Sequence, residues 1–293
     1  MSKPVNSSRH SFKGSAIASS SITMKPCAGG LTHLVGFGLS VFLISAVLAF
    51  LAAPWVHLSW WPVFRRCVSI SAAISLWLFM RKIERRSFQS YGFSVFREGK
   101  RQLVFGVLLV FSTLALMWGI GLASGAYRLE VTDDRMRLWV TLLGFLPAAA
   151  LVSVLEELVF RGFILRHFIA HSKALAVIAS SALYAIVHVK TSAVDGGLLR
   201  ELIGLFLLGN VLSVRCLLTA QLYLSVGLHL AFAYGARINK LLIEFPHSSL
   251  AWLTGTSRLI NGVATWVALA GVAGLMVWWV RSSPHRGGAH EQV

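Results

Sequence analysis

Residues 31–53, "LTHLVGFGLSVFLISAVLAFLAA", contain no Asp, Glu, Lys or Arg over 23 positions. At a rise of about 1.5 Å per residue such a segment spans about 34 Å as a helix, enough to cross the roughly 30 Å hydrocarbon core of a bilayer. Further apolar runs at 59–80, 103–124, 138–160 with an extension, 174–190, 198–217, 219–236 and 261–280 bring the predicted total to about eight spans. Lipid supplies no partner for an open strand edge, and the alternating segments of a membrane barrel are absent, so the predicted fold is an all-α polytopic transmembrane helical bundle. The second run is the weakest, since Pro62, Arg65 and Arg66 interrupt it; Trp60 and Trp61 suit a headgroup-level belt. At 56% hydrophobic residues the chain does not read as one or two soluble domains.

The charge pattern fits the same picture. The net charge is +16, but the basic residues flank apolar runs instead of forming one solvated basic domain. They therefore read as topology signals and contacts to anionic lipid, not as a nucleic-acid surface. Residues 1–30 hold eight serines, four Lys/Arg and no acid, the composition of a disordered tail, and the run that follows is too long for the core of a signal peptide. The 81–101 loop holds seven Lys/Arg, while 125–137 balances Arg128, Arg135 and Arg137 against Glu130, Asp133 and Asp134. The tail and the 81–101 loop are thus expected on the cytoplasmic side, and the C-terminal tail with them. Cys27, Cys67 and Cys216 form neither a disulfide framework nor a CxxC metal pattern.

Of the eleven acids, nine lie in tails, loops or near span ends; the exceptions are Glu156 and Glu157, in "ALVSVLEELVFRGFIL" at 150–165. A charge in hydrocarbon costs several kcal/mol even on lenient scales, so such residues face a protein interior and mark function. On a helix Glu157 and Arg161 are i, i+4 neighbours, whereas Glu156 points about 100° away. A structural ion pair accounts for Glu157 and Arg161 and leaves Glu156 as a candidate for chemistry. Two histidines also lie well inside apolar spans, His188 and His229. If the fourth and fifth spans turn near His171-Ser172-Lys173, Glu156 and His188 are each sixteen residues from Ser172, at similar depth. Tyr184 is one helical turn before His188, on the same face.

These residues resemble the CAAX-protease and bacteriocin-processing (CPBP, or Abi) family of intramembrane proteases. Its EExxxR motif followed by Gly is met by Glu156, Glu157, Arg161 and Gly162; its aromatic with His four residues on by Tyr184 and His188; and its late His, after a Gly-containing helix at 204–210, by His229. The likeness covers about 138–236, which is expected to be the protease core. Residues 31–137 would hold the N-terminal helices, and 237–293 a connection, the last helix and a tail. The family commonly has Asn four residues after the last His, where this chain has Ala233. Asn210 and Ser225 are the intramembrane polar residues that could replace it.

The resemblance implies an intramembrane endopeptidase acting on a membrane protein or peptide, in a bacterial cytoplasmic membrane with the N-terminus cytoplasmic. Glu156 with His188 would activate water and His229 would stabilise the oxyanion, with Glu157 and Arg161 completing the site. A metal-independent, glutamic mechanism is favoured; a divalent metal such as zinc would take Glu156, His188 and His229 as ligands. Losing one oxyanion donor costs about 10²–10³ in rate, so Ala233 motivates the alternative of a catalytically silent immunity or scaffold protein.

Overall fold

The computed structural model describes residues 29–56, 59–93, 96–131, 134–188, 196–246, 248–255 and 259–282. Residues 1–28 of the expected 1–30 tail, residues 283–293 and the connection at 189–195 lie outside these residues.

The apolar runs are helices: α1 Gly30–Ala52, α2 Trp60–Leu78, α3 Phe96–Ala123, α4 Arg135–Glu157, a short α5 Leu165–Ile169, α6 Lys173–His188, α7 Gly196–Thr219, α8 Tyr223–Leu242, a one-turn α9 Ala251–Thr254 and α10 Val263–Ser282. Among the described residues, five helical stretches are long and apolar enough to cross a membrane: Gly30–Trp55, Trp60–Ile83, Gly99–Ala123, Leu138–Ile169 and Gly197–Thr219. The 59–80 run, despite its Pro and Arg residues, is among these five, while Lys173–His188 and Val263–Trp279 are shorter apolar helices. Among the described residues the all-helical fold has one small exception. Arg128 and Leu129 (β1) pair antiparallel with Glu244 and Ile243 (β2), a two-residue ladder tying the α3–α4 connection to the end of α8.

Two i→i+5 stretches interrupt the α geometry, Phe79–Ile83 after α2 and Leu158–Ile164 between α4 and α5. Turns of this kind hold one more residue than an α turn and occur often at functional sites. The second begins immediately after the two glutamates and contains Arg161.

Helix packing follows the small residues. α8 lies along α3, and a Cβ on Gly227 would fall 2.3 Å from the Leu103 carbonyl oxygen. α6 lies along α7, and a Cβ on Gly209 would fall 2.9 Å from Ser181 Cα. Close backbone approach at small residues is how helices associate where lipid removes the hydrophobic drive between them. The larger apolar core of the described residues has Phe163, Leu165, Leu212, Leu224 and Met276 at its centre, and a smaller cluster of Ala49, Val63, Phe64 and Cys67 joins α1 to α2. Many outward residues are large and apolar, including Leu39, Phe42 and Phe50 on α1 and Leu143 and Leu151 on α4. Such extensive exposed apolar surface suits a lipid environment and would be a liability in water.

Candidate active site

Three helices and one turn deliver the polar groups to one place. α4 ends in Glu156 and Glu157, the following i→i+5 turn supplies Arg161, α6 ends in Tyr184 and His188, and α8 presents His229. The turn between α5 and α6 falls at Ala170–Ser172, which makes the two helices a hairpin and brings their equidistant residues together. Glu156 Oε2 is 3.0 Å from His188 Nε2 and 3.4 Å from His229 Nε2.

Glu157 is held differently. Its Oε1 accepts from Arg161 Nη1 at 2.9 Å and lies 2.9 Å from His229 Nδ1. Arg161 also donates through Nη2 to the Gly209 carbonyl oxygen at 3.2 Å, and its guanidinium stacks 4.8 Å above the Tyr184 ring. Glu157 and Arg161 are both wholly buried. The side chains of Glu156 and His188 keep 21% and 23% exposure, so this half of the cluster is the accessible half.

The histidines are oriented through their other ring nitrogens. His188 Nδ1 lies 2.8 Å from the Tyr184 carbonyl oxygen, and with His229 Nδ1 on Glu157 both Nε2 atoms are turned toward Glu156. Tyr184 stacks on His188 with ring centroids 4.2 Å apart, and its hydroxyl oxygen is 3.4 Å from His229 Nε2. Ser180 Oγ donates to the Phe160 carbonyl oxygen at 2.9 Å, pinning α6 to the i→i+5 turn.

The segment 137–235, which contains all of these residues, matches the family model described as type II CAAX prenyl endopeptidase, Rce1-like. About a third of the chain is thus similar to the core of that family. No curated protein and no solved structure matches it.

Within this family core, the structure brings together Glu156, Glu157, Arg161, Tyr184, His188 and His229. Asn210 and Ser225 lie apart from them. Asn210 donates to the Phe206 carbonyl oxygen and lines a separate cavity with Val214, Trp266 and Leu269, and Ser225 donates to the Leu212 carbonyl oxygen. Ala233 is one turn beyond His229 on α8 and half-buried. Helical spacing did not suggest that Glu157 serves His229 as well as Arg161, nor that the Tyr184 hydroxyl reaches His229. Both contacts cross between helices, and no local pattern encodes them.

Proposed function

We propose that the chain is an intramembrane endopeptidase that hydrolyses a peptide bond of a membrane-associated protein or peptide with water activated by Glu156 and His188. The observation that carries this reading is a carboxylate oxygen in contact with two imidazole Nε2 atoms on the accessible side of an otherwise sealed polar cluster. A water bound beside Glu156 Oε2 and His188 Nε2 on their exposed side would give up a proton as it attacks the substrate carbonyl, and the same groups would return it to the leaving amine. His229 is suited to the developing oxyanion: Glu157 anchors its Nδ1, so Nε2 is preset toward the reacting centre without reorganisation. The Tyr184 hydroxyl, 3.4 Å from that nitrogen, supplies a second donor where Ala233 offers none.

Catalysis is proposed to be metal-independent, with Glu156 and His188 themselves moving the proton. If a divalent metal such as zinc were bound here, Glu156, His188 and His229 would hold it and it would supply a polarised water. The deciding experiment compares membrane-protein fragments in cells carrying the wild-type chain with those carrying Glu156→Gln or His188→Ala. Loss of specific fragments in both variants supports the protease, and identical fragments refute it. Cleavage that survives chelation of the purified protein supports the metal-independent form.

Ala233 favours a second reading, a silent family member acting as an immunity or scaffold protein in the membrane. A Glu156→Ala protein that fully complements a deletion would establish that reading over the enzyme.

A further inference from the structure

A second cluster of ionisable side chains lies outside the proposed site. His33 is in the first turn of α1, Glu84 directly follows the Phe79–Ile83 turn at the end of α2, and His167 is on α5, eleven residues past Glu156. One ligand atom from each of the three lies within 4.8 Å of the others. The side chains of Glu84 and His167 are 3% and 0% exposed, which is deep for a glutamate in a connection that reads as basic and solvated.

The hydrogen bonding around this trio is directional. His167 Nδ1 lies 2.9 Å from the Phe163 carbonyl oxygen, to which it can only donate, leaving Nε2 directed at Glu84 Oε1, 3.3 Å away. The other carboxylate oxygen of Glu84 accepts from the Tyr91 hydroxyl. His33 Nδ1 is buried with no hydrogen-bond partner among the described residues. Its ring rests against Gly29, where φ is +101° and an added Cβ would fall 2.2 Å from the ring, so the backbone there admits no side chain that would displace it. Phe79 and Phe163 wall the cluster, with centroids 6.3 Å from His33 and 4.3 Å from His167.

A proton shared by His167 and Glu84 would satisfy two of the three groups and leave the buried His33 nitrogen unmatched. A metal ion satisfies all three. We propose that His33, Glu84 and His167 bind one divalent transition-metal ion of the zinc class, at a site separate from the Glu156 cluster. Two imidazoles and one carboxylate are a donor set for such ions, whereas magnesium and calcium take oxygen shells. Ligand atoms around tetrahedral zinc sit about 3.4 Å apart, given bonds of about 2.0–2.1 Å, so small ring rotations close the gap. The Phe163 carbonyl and the Tyr91 hydroxyl orient the first ligands in the way outer-shell partners do at known sites. Arg86 adds a positive charge near His167, which the Glu84 carboxylate offsets. The bound ion would join α1 and the end of α2 to α5, and so tie the N-terminal helices to the family core.

The test uses full-length protein in detergent, stripped with a chelator and titrated with Co²⁺ and then Zn²⁺. The wild type is expected to bind one equivalent of Co²⁺ with the visible absorption of a four-coordinate site, to release it to Zn²⁺, and to melt at a higher temperature when loaded. His33→Ala, which trims one side chain from the first turn of α1, and Glu84→Gln are expected to lose that equivalent. Tyr91→Phe should weaken it about 10–100-fold. The double variant Glu156→Gln/His188→Ala should retain it. A wild type that binds no equivalent overturns the proposal, as does binding unchanged in both His33→Ala and Glu84→Gln, or binding lost only in the Glu156→Gln/His188→Ala protein. These outcomes do not depend on whether the Glu156 cluster cleaves peptides.

Discussion

Glu156 and Glu157 are chemically identical and adjacent in the chain, yet their surroundings have almost nothing in common. Glu157 is wholly buried against a guanidinium and an imidazole, while Glu156 keeps a fifth of its side chain exposed between two imidazoles. The difference arises from the roughly 100° that separates consecutive residues on a helix: one carboxylate turns into the bundle and the other toward its open side. Burial against an opposite charge makes a group structural, because removing either partner strands a charge in low dielectric. Partial exposure keeps a group available to water and substrate.

The largest expected effect is at Arg161. Arg161→Met should destabilise the protein by about 3–5 kcal/mol through the stranded Glu157 charge, and Glu157→Leu/Arg161→Met together should recover most of that loss; unfolding of the detergent-solubilised proteins measures both. Glu156→Gln should lower the rate of substrate cleavage by about 10²–10⁴ while leaving the melting temperature close to that of the wild type. A Glu156→Gln protein as unstable as Arg161→Met would erase the distinction between the two carboxylates. Gly209→Ala inserts a methyl 2.9 Å from Ser181 Cα, on the residue whose carbonyl receives Arg161. A loss of about 1–3 kcal/mol is expected from overpacking, with cleavage reduced because the Glu157 side of the site is displaced. Ser180→Ala removes one buried hydrogen bond to Phe160 and should cost about 1 kcal/mol, sharpening how far the i→i+5 turn depends on α6.

Contacts set by local helix geometry were legible in the sequence. The Glu157–Arg161 pair follows from i, i+4 spacing, and the meeting of Glu156 with His188 from their equal distance to the turn at Ser172. The helical architecture was legible from apolar run length alone. The contact of His229 with Glu157 was not, because α8 takes its rotation from glycine-mediated packing on α3, which spans more than a hundred residues of sequence. The i→i+5 turn left no trace either, since Leu, Val, Phe, Arg, Gly and Ile are equally at home in an α-helix, and its hydrogen bonds are reinforced from α6. Glu84 sits among Arg81, Lys82, Arg85 and Arg86, a composition that reads as a solvated loop. Only the folded chain brings it beside His33 and His167.

The turn at Leu158–Ile164 has one more consequence. Because it accommodates a residue beyond the α count, the angle between Glu156 at one end of this helix and His167 near the other is fixed by chain length and not by side-chain identity. Deleting a single apolar residue here would let the segment relax to α geometry with Leu165–Ile169 kept in place, whereas the same relaxation at unchanged length would swing Leu165–Ile169 by about 100°. His167 would leave Glu84 and Arg166 would leave the Ser90 carbonyl oxygen, although no charged group had been altered. The segment acts as a phase setting between two polar centres, and a change in its winding is felt as a rotation.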